Sequence, residues 1–196
     1  MSDSIFYFEP DLVEPREYSP AWSTTQVQFE SGTSQFQEEW SRQIYEFKFV
    51  YRGYFSDLRW NPIEAFFNTH KGRGDSFLLP SWRAETKLTT AYVPGGPPAA
   101  VDLDLVSTVF FSGITGKPGN LLHIKHLNGS PEEVKQVGEV VSGTHLHLVA
   151  GFSNSYPINS VVQVAYRVRF STDKMPPMKY IGYDIYEIEF SFFEDI

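Results

Sequence analysis

The chain has 196 residues, no cysteine, 16 Lys+Arg against 24 Asp+Glu, and an aromatic content of 4 Trp, 11 Tyr and 17 Phe. The length suits one domain, or one domain carrying an insertion, and the missing cysteines exclude disulfide frameworks, thiolate zinc sites, iron–sulfur clusters and cysteine nucleophiles. A formal net charge of -8 argues against general binding to a phosphate backbone, which needs a basic surface.

In chain order, residues 1–23 combine Ile5-Phe6-Tyr7-Phe8 with Pro10, Pro15 and Pro20. Each proline removes a backbone donor and biases its predecessor to extended geometry, so an extended arm lying against the rest of the molecule is expected. Thr25-Gln26-Val27-Gln28-Phe29-Glu30 alternates at period two, and Ser31-Gly32 marks a turn. In Gln43–Tyr51, alternation places Tyr45, Phe47, Phe49 and Tyr51 on one face and Ile44, Glu46, Lys48 and Val50 on the other. Asn61-Pro62-Ile63-Glu64 reads as a helix start with Asn61 as N-cap. Ile63, Phe66, Phe67 and His70 recur at helical spacing and Gly72 stands at the C-cap, predicting a helix over 62–70 that buries Phe66 and Phe67.

Ser76–Pro80 reads as a short apolar strand. Residues 84–160 are polar strands punctuated by Pro94–Pro98, Gly116–Asn120, Asn128-Gly129 and Ser142-Gly143, a hairpin-rich pattern. Val161–Phe170 and Tyr183–Phe192 alternate, the latter with Tyr186, Ile188, Phe190 and Phe192 on one face. The fold class expected is mainly β, a β-barrel or sandwich domain with one short α-helix and an inserted β-rich subdomain. The division expected is an arm over 1–23, a core domain from 24–83 plus 161–196, and an inserted subdomain over 84–160. The terminal strand is expected to pair with the 24–52 region. No apolar run reaches the ~18 residues that span a bilayer, and Met1-Ser2-Asp3-Ser4-Ile5 lacks a basic secretory start, so a soluble protein made in a cytoplasm is expected.

Few residues carry chemistry. His145-Leu146-His147 has the spacing for two imidazoles on one strand face, with His123 and His126 upstream, and four histidines can form a zinc or nickel site. No carboxylate lies close by in sequence to support them, so solvent-facing histidines without a ligand role are expected, and neither metal nor cofactor is predicted. Arg73-Gly74-Asp75 matches the integrin-recognition tripeptide, but it links a helix to a strand and reads as a turn that needs two glycines, Gly72 and Gly74. Glu38-Glu39, Asp102 with Asp104, and Glu132-Glu133 are carboxylate pairs of the kind a glycosidase uses. No Gly-x-Ser-x-Gly elbow accompanies them, and Gly113-x-x-Gly116-Lys117 lacks phosphate-loop spacing, so no catalytic residue is expected.

Two blocks occur together. One runs from Val27–Gly32 through Gln37-Glu38-Glu39-Trp40-Ser41-Arg42, Tyr45-Glu46-Phe47 and Ile63–Phe67 to His70–Leu78. The other is Val164-Ala165-Tyr166-Arg167-Val168-Arg169-Phe170-Ser171-Thr172-Asp173-Lys174-Met175, followed by Ile185–Phe190. In this order they resemble the distal tail proteins of long-tailed phages and gene transfer agents, over roughly residues 24–83 and 161–196. Leu79-Pro80-Ser81-Trp82 stands where family members often show a longer aromatic–Asp stretch, and residues 84–160 match only as a variable β-rich region.

The resemblance implies a non-enzymatic virion component, a subunit of a six-fold ring joining the tail tube to the hub and fibre apparatus. Its implied partners are copies of itself, the tail tube protein, and hub, baseplate and fibre proteins. DNA passes only as cargo, which a net negative wall suits. The implied location is the virion tail, assembled in the host cytoplasm without membrane insertion. Arg73 and Asp75 in the Gly-rich turn, with Asp173 and Lys174 in the second block, are the subunit-interface candidates. The rival readings are a carbohydrate-binding β-sandwich of a tail fibre, which would need Trp22, Trp60 and Trp82 clustered on an exposed groove, and a tail-terminator-like ring protein.

Overall fold

The computed structural model describes residues 4–10, 17–21, 24–28, 34–38, 44–54, 60–83, 85–95, 101–114, 119–125 and 131–195, with the backbone alone described between 17 and 45. Its elements are β1 (Glu17–Ala21), β2 (Thr24–Gln28), β3 (Ser34–Glu38), β4 (Ile44–Tyr54), α1 (Trp60–Thr69), β5 (Phe77–Pro80) and β6 (Thr86–Lys87). They continue as β7 (Asp102–Asp104), β8 (Leu121–Lys125), β9 (Glu133–Val140), β10 (His145–Leu148), β11 (Val161–Phe170), β12 (Lys179–Gly182) and β13 (Ile185–Glu194). The fold is mainly β, of the sandwich or barrel type, with one short helix among the described residues. The expected turns at Ser31-Gly32, Gly96-Pro97-Pro98, Gly116-Lys117-Pro118 and Asn128-Gly129 lie outside the described residues, as do Pro15, Trp22, Trp40 and His126.

Two compact units divide the chain, one from residues 8–76 and 168–195, the other from 1–7 and 77–167. The boundaries fall at 76/77 and 167/168, against 83/84 and 160/161 read from the sequence. The physical reason is that the start of β11 pairs with the inserted strands, with β8 from Val161↔Lys125 to Ala165↔Leu121 and with β6 at Val161↔Lys87 and Val162↔Thr86, and β5 pairs with β11. Within the arm, residues 4–7 group with the inserted unit. Phe6 N–H donates to Leu78 O and Leu78 N–H to Ser4 O, and Phe6 is fully buried with its ring 5.9 Å from that of Phe77.

The unit of 8–76 and 168–195 is organised by β4 and β13, antiparallel from Ile185↔Tyr54 to Phe193↔Glu46. This is the pairing expected between the terminal strand and the 24–52 region. Phe47, Phe49 and Tyr51 are buried on one face of β4, while Ile188, Phe190 and Phe192 are buried on β13. β1 pairs along the other side of β4, where Pro20 sits on an edge strand that tolerates its missing donor. β2 and β3 form a separate two-stranded sheet.

Helix α1 starts at Trp60, two residues earlier than expected, and ends at Thr69. Trp60 is buried and its Nε1–H donates to Tyr54 O at 2.9 Å, which draws the first turn toward the core. Pro62 then falls within the first turn, where its missing N–H has no helical acceptor to lose. The buried stripe is Trp60, Ile63, Phe67 and His70, at spacings of three, four and three. Phe66 is only half-buried. Its ring stacks on His70 at 4.0 Å and meets Phe8 edge-on. Phe67 lies 4.7 Å from Phe170, which in turn lies 5.8 Å from Phe190 and 5.3 Å from Phe192.

In the unit of 1–7 and 77–167, Leu88, Leu103, Leu105, Leu122, Ile124, Val137, Leu146, Phe152, Tyr156, Val162 and Val164 form the core. The strand order β11-β8-β9-β10-β7 ends on the three-residue β7. Alternation fails at Val162-Gln163-Val164-Ala165, all four of which are buried. Val162 and Val164 join the hydrophobic core on one face, while Gln163 on the other is buried against His123, whose ring meets Trp82, so both faces are covered. Period two returns only at Val168, Arg169 and Phe170.

Phe190→Ala should lower the unfolding free energy by about 3–5 kcal/mol, because a fully buried ring leaves a cavity among four aromatic neighbours. Phe193→Ala, on the exposed face of the same strand, should change it by about 0.5 kcal/mol or less. Urea denaturation followed by tryptophan fluorescence measures both.

Candidate functional site

The two charged turns singled out in the sequence meet in the unit of 8–76 and 168–195. After α1 the backbone turns over, with Asp75 N–H donating to His70 O and Gly72 N–H to Phe67 O. Gly72 has φ 59°, and a Cβ there would lie 2.7 Å from both Asp173 Cα and Thr172 O, so conformation and crowding both require glycine. Gly74 has no positive φ, but a Cβ there would lie 3.2 Å from Lys71 Cβ, so its demand for glycine is weaker than that of Gly72. Arg73 N–H donates to Asp173 Oδ1 at 3.1 Å, and Arg73 Nε–H donates to Ser171 O at 2.7 Å. Arg73 and Asp173 therefore bind each other's turns within one chain.

Asp75 and Lys174 are exposed, and their side chains have no polar partner among the described residues. Around Arg73 and Asp173 an open groove of about 630 Å³ includes Met175, Pro176, Pro177 and Glu189 in its lining. Beyond it comes the β12–β13 hairpin, where Gly182↔Ile185 leaves a two-residue loop, Tyr183-Asp184, with φ 53° and 60°. Two positive φ values are the signature of a type I′ turn, whose usual occupants are Asn-Gly or Asp-Gly. Here the first position is a tyrosine 93% exposed, flanked by Tyr180 at 61% and Ile181 at 49%.

A second cluster lies in the other unit. β10 pairs with β7 so that His145 faces Asp104 and His147 faces Asp102. Leu146 and Leu148 are buried, and both histidines stand on the opposite face, half-buried rather than fully in solvent. The sequence reading found no carboxylate close to the histidines because the acids lie some forty residues upstream. The visible signal was the matched pattern: Asp-Leu-Asp and His-Leu-His share the same period and place all four polar groups on one face.

His123 does not join that cluster. It is fully buried, its Nδ1 accepts from Gln163 Nε2 at 2.8 Å, and its Nε2 lies 2.9 Å from Glu132 Oε2. Glu133 is caged: Ser153 N–H, Asn154 N–H, Asn154 Nδ2–H and Tyr156 O–H all donate to its carboxylate at 2.8–3.1 Å. Burial alone would raise its pKa, but these donors outweigh burial and hold the carboxyl below its ordinary value. Burial, and then the facing Glu133 charge, push the Tyr156 hydroxyl upward. The pair Glu132-Glu133 is thus engaged in separate hydrogen-bonded contacts. Trp60 and Trp82 are both buried, which removes two of the three rings that a sugar-stacking groove would need. Glu39 and the side chain of Glu38 lie outside the described residues.

Compared with known proteins, the chain matches no family model and no curated sequence.

Gly72→Ala should destabilise the protein by about 1–3 kcal/mol and Gly74→Ala by less than about 1 kcal/mol, read as shifts in a urea midpoint. Glu133 gives a pH prediction. Its pKa is depressed in the folded state, so its contribution is present above the ordinary value of 4.5 and is lost as pH falls through the lower folded value. Stability measured against pH should therefore fall on the acid side of 4.5 more steeply in the parent chain than in Glu133→Gln.

Proposed function

We propose that the chain is a structural, non-enzymatic virion component: a distal tail ring subunit that self-associates and links the tail tube to the hub and fibre apparatus. The resemblance of residues 24–83 and 161–196 to that family supplies the class. The observation that carries the reading is the β12–β13 hairpin. A left-handed conformation costs a non-glycine residue about 1–2 kcal/mol, and a nearly fully exposed tyrosine regains none of it by packing within its own chain.

Among the described residues β12 pairs only with β13, so its outer edge also offers unpaired backbone groups. An uncovered edge bearing Tyr180, Ile181 and Tyr183 is an association hazard unless a partner covers it. A second copy of the chain is the occupant that fits a ring, in which head-to-tail contacts repeat until rotation closes them. The Arg73–Asp173 turns and the exposed Asp75 and Lys174 would set register at that contact more than they add affinity. The tube protein and the hub and fibre proteins occupy the remaining faces in this reading, and the net negative charge keeps transiting DNA from adhering.

Light scattering coupled to size exclusion tests the reading. The parent chain should run as a closed oligomer. Tyr183→Asn, which suits the type I′ turn, should leave stability unchanged or raised by up to about 1 kcal/mol while shifting the mass toward monomer. Tyr180→Glu combined with Tyr183→Glu should abolish assembly with an unchanged circular dichroism spectrum. Asp173→Lys and Arg73→Glu should weaken it with a folded monomer, since exposed charges contribute little to stability. An oligomer indifferent to all four variants would overturn the assignment of this face.

A further inference from the structure

We propose that Asp102, His145 and His147 bind one divalent transition-metal ion, with zinc(II) the best-suited, and that Asp104 is the positioning residue for His145. The inference is independent of the ring reading. It reverses the expectation, drawn from the sequence, that the two histidines have no ligand role.

The argument begins with register. β7 and β10 place His145 opposite Asp104 and His147 opposite Asp102, so two imidazoles and two carboxylates share one face of a two-strand ladder. Roles then separate by hydrogen bonding. Asp104 is fully engaged: its Oδ1 lies 2.7 Å from His145 Nδ1, and Thr90 Oγ1 donates to its Oδ2 at 3.2 Å. With Nδ1–H donating to a carboxylate, the lone pair of His145 resides on Nε2, which lies 4.0 Å from Asp102 Oδ1. A ligating histidine whose other nitrogen is held by a carboxylate is the usual outer arrangement of a metal site.

Asp102 Oδ1 also faces His147 Nδ1. Both atoms are inaccessible to solvent, and beyond this ion-pair contact with each other neither has a hydrogen-bond partner among the described residues. A cation shared between them would replace that single contact and also engage His145 Nε2. One ligand atom from each of Asp102, His145 and His147 lies within 4.8 Å of the others. Metal–ligand bonds of about 2.0–2.2 Å need ligand atoms roughly 3.3–3.6 Å apart in a tetrahedron, which small side-chain rotations reach from here.

Chemistry selects the ion. Two imidazoles and one carboxylate suit zinc, cobalt or nickel, whereas magnesium and calcium require all-oxygen shells. The histidines and Asp102 each remain about a third exposed, so a fourth position opens to water. β7 is a three-residue strand at the end of the strand order, and an ion bridging it to β10 would staple that edge.

The test uses the full-length chain stripped with a chelator and titrated with zinc chloride by calorimetry, with magnesium chloride as control. One zinc per chain should bind and magnesium should not. Cobalt(II) should give the intense visible absorption of a tetrahedral site. His147→Ala and Asp102→Asn should lower zinc affinity by more than about a hundredfold, and Asp104→Asn by about 10–100-fold. Circular dichroism checks the fold of each variant. In the parent chain, zinc should move the ring resonances of His145 and His147 and leave the fully buried His123 unmoved, a readout that needs no variant. No zinc binding, binding with unmoved His145 and His147 resonances, or binding unchanged in folded His147→Ala would each overturn the proposal.

Discussion

The antiparallel pairing of β4 with β13 is the constraint on which the rest depends. It joins residues 44–54 to 185–194, so almost the whole chain must be laid down before the ladder can close. The entropy of such a closure grows only slowly with length, but it is required before any contact rewards it. Aromatic packing provides the return: Phe49 lies 5.7 Å from Phe192, and Tyr51 meets Phe190 edge-on at 5.9 Å. With the two ends fixed, α1 has a surface for its buried stripe, and residues 77–167 leave and re-enter as an insertion.

That topology separates the tasks of the two units. One unit carries the Arg73–Asp173 turns and the aromatic hairpin. The other has its own hydrophobic core and its own polar network, including caged Glu133, buried His123 with Gln163, and the Asp–His face of β7 and β10. A unit with an independent core can change its surface chemistry without disturbing the β4–β13 ladder.

Much of this was legible in the sequence, because period-two alternation is a direct image of a half-buried strand. Phe47, Phe49 and Tyr51, and then Ile188, Phe190 and Phe192, are buried as their spacing predicts. The same rule misled at Val162–Ala165, where Gln163 is buried against His123 and the face that alternation would expose is covered. The helix start was missed because Trp60 is held by a tertiary hydrogen bond to Tyr54, which outweighs the local capping signal at Asn61. The partnership of Asp102 and Asp104 with His145 and His147 needed strand register, which one sequence does not encode locally. Likewise Arg73 and Asp173, about a hundred residues apart, read as separate charged turns until folding placed them in contact.

The ring assignment is the claim that ties the hairpin, the charged turns and the sequence resemblance together. Negative-stain electron microscopy of the purified chain tests it most directly. Closed annular particles with rotational symmetry and a central opening are the predicted result. Discrete single copies at every concentration examined, or open filaments and sheets in place of rings, would contradict it.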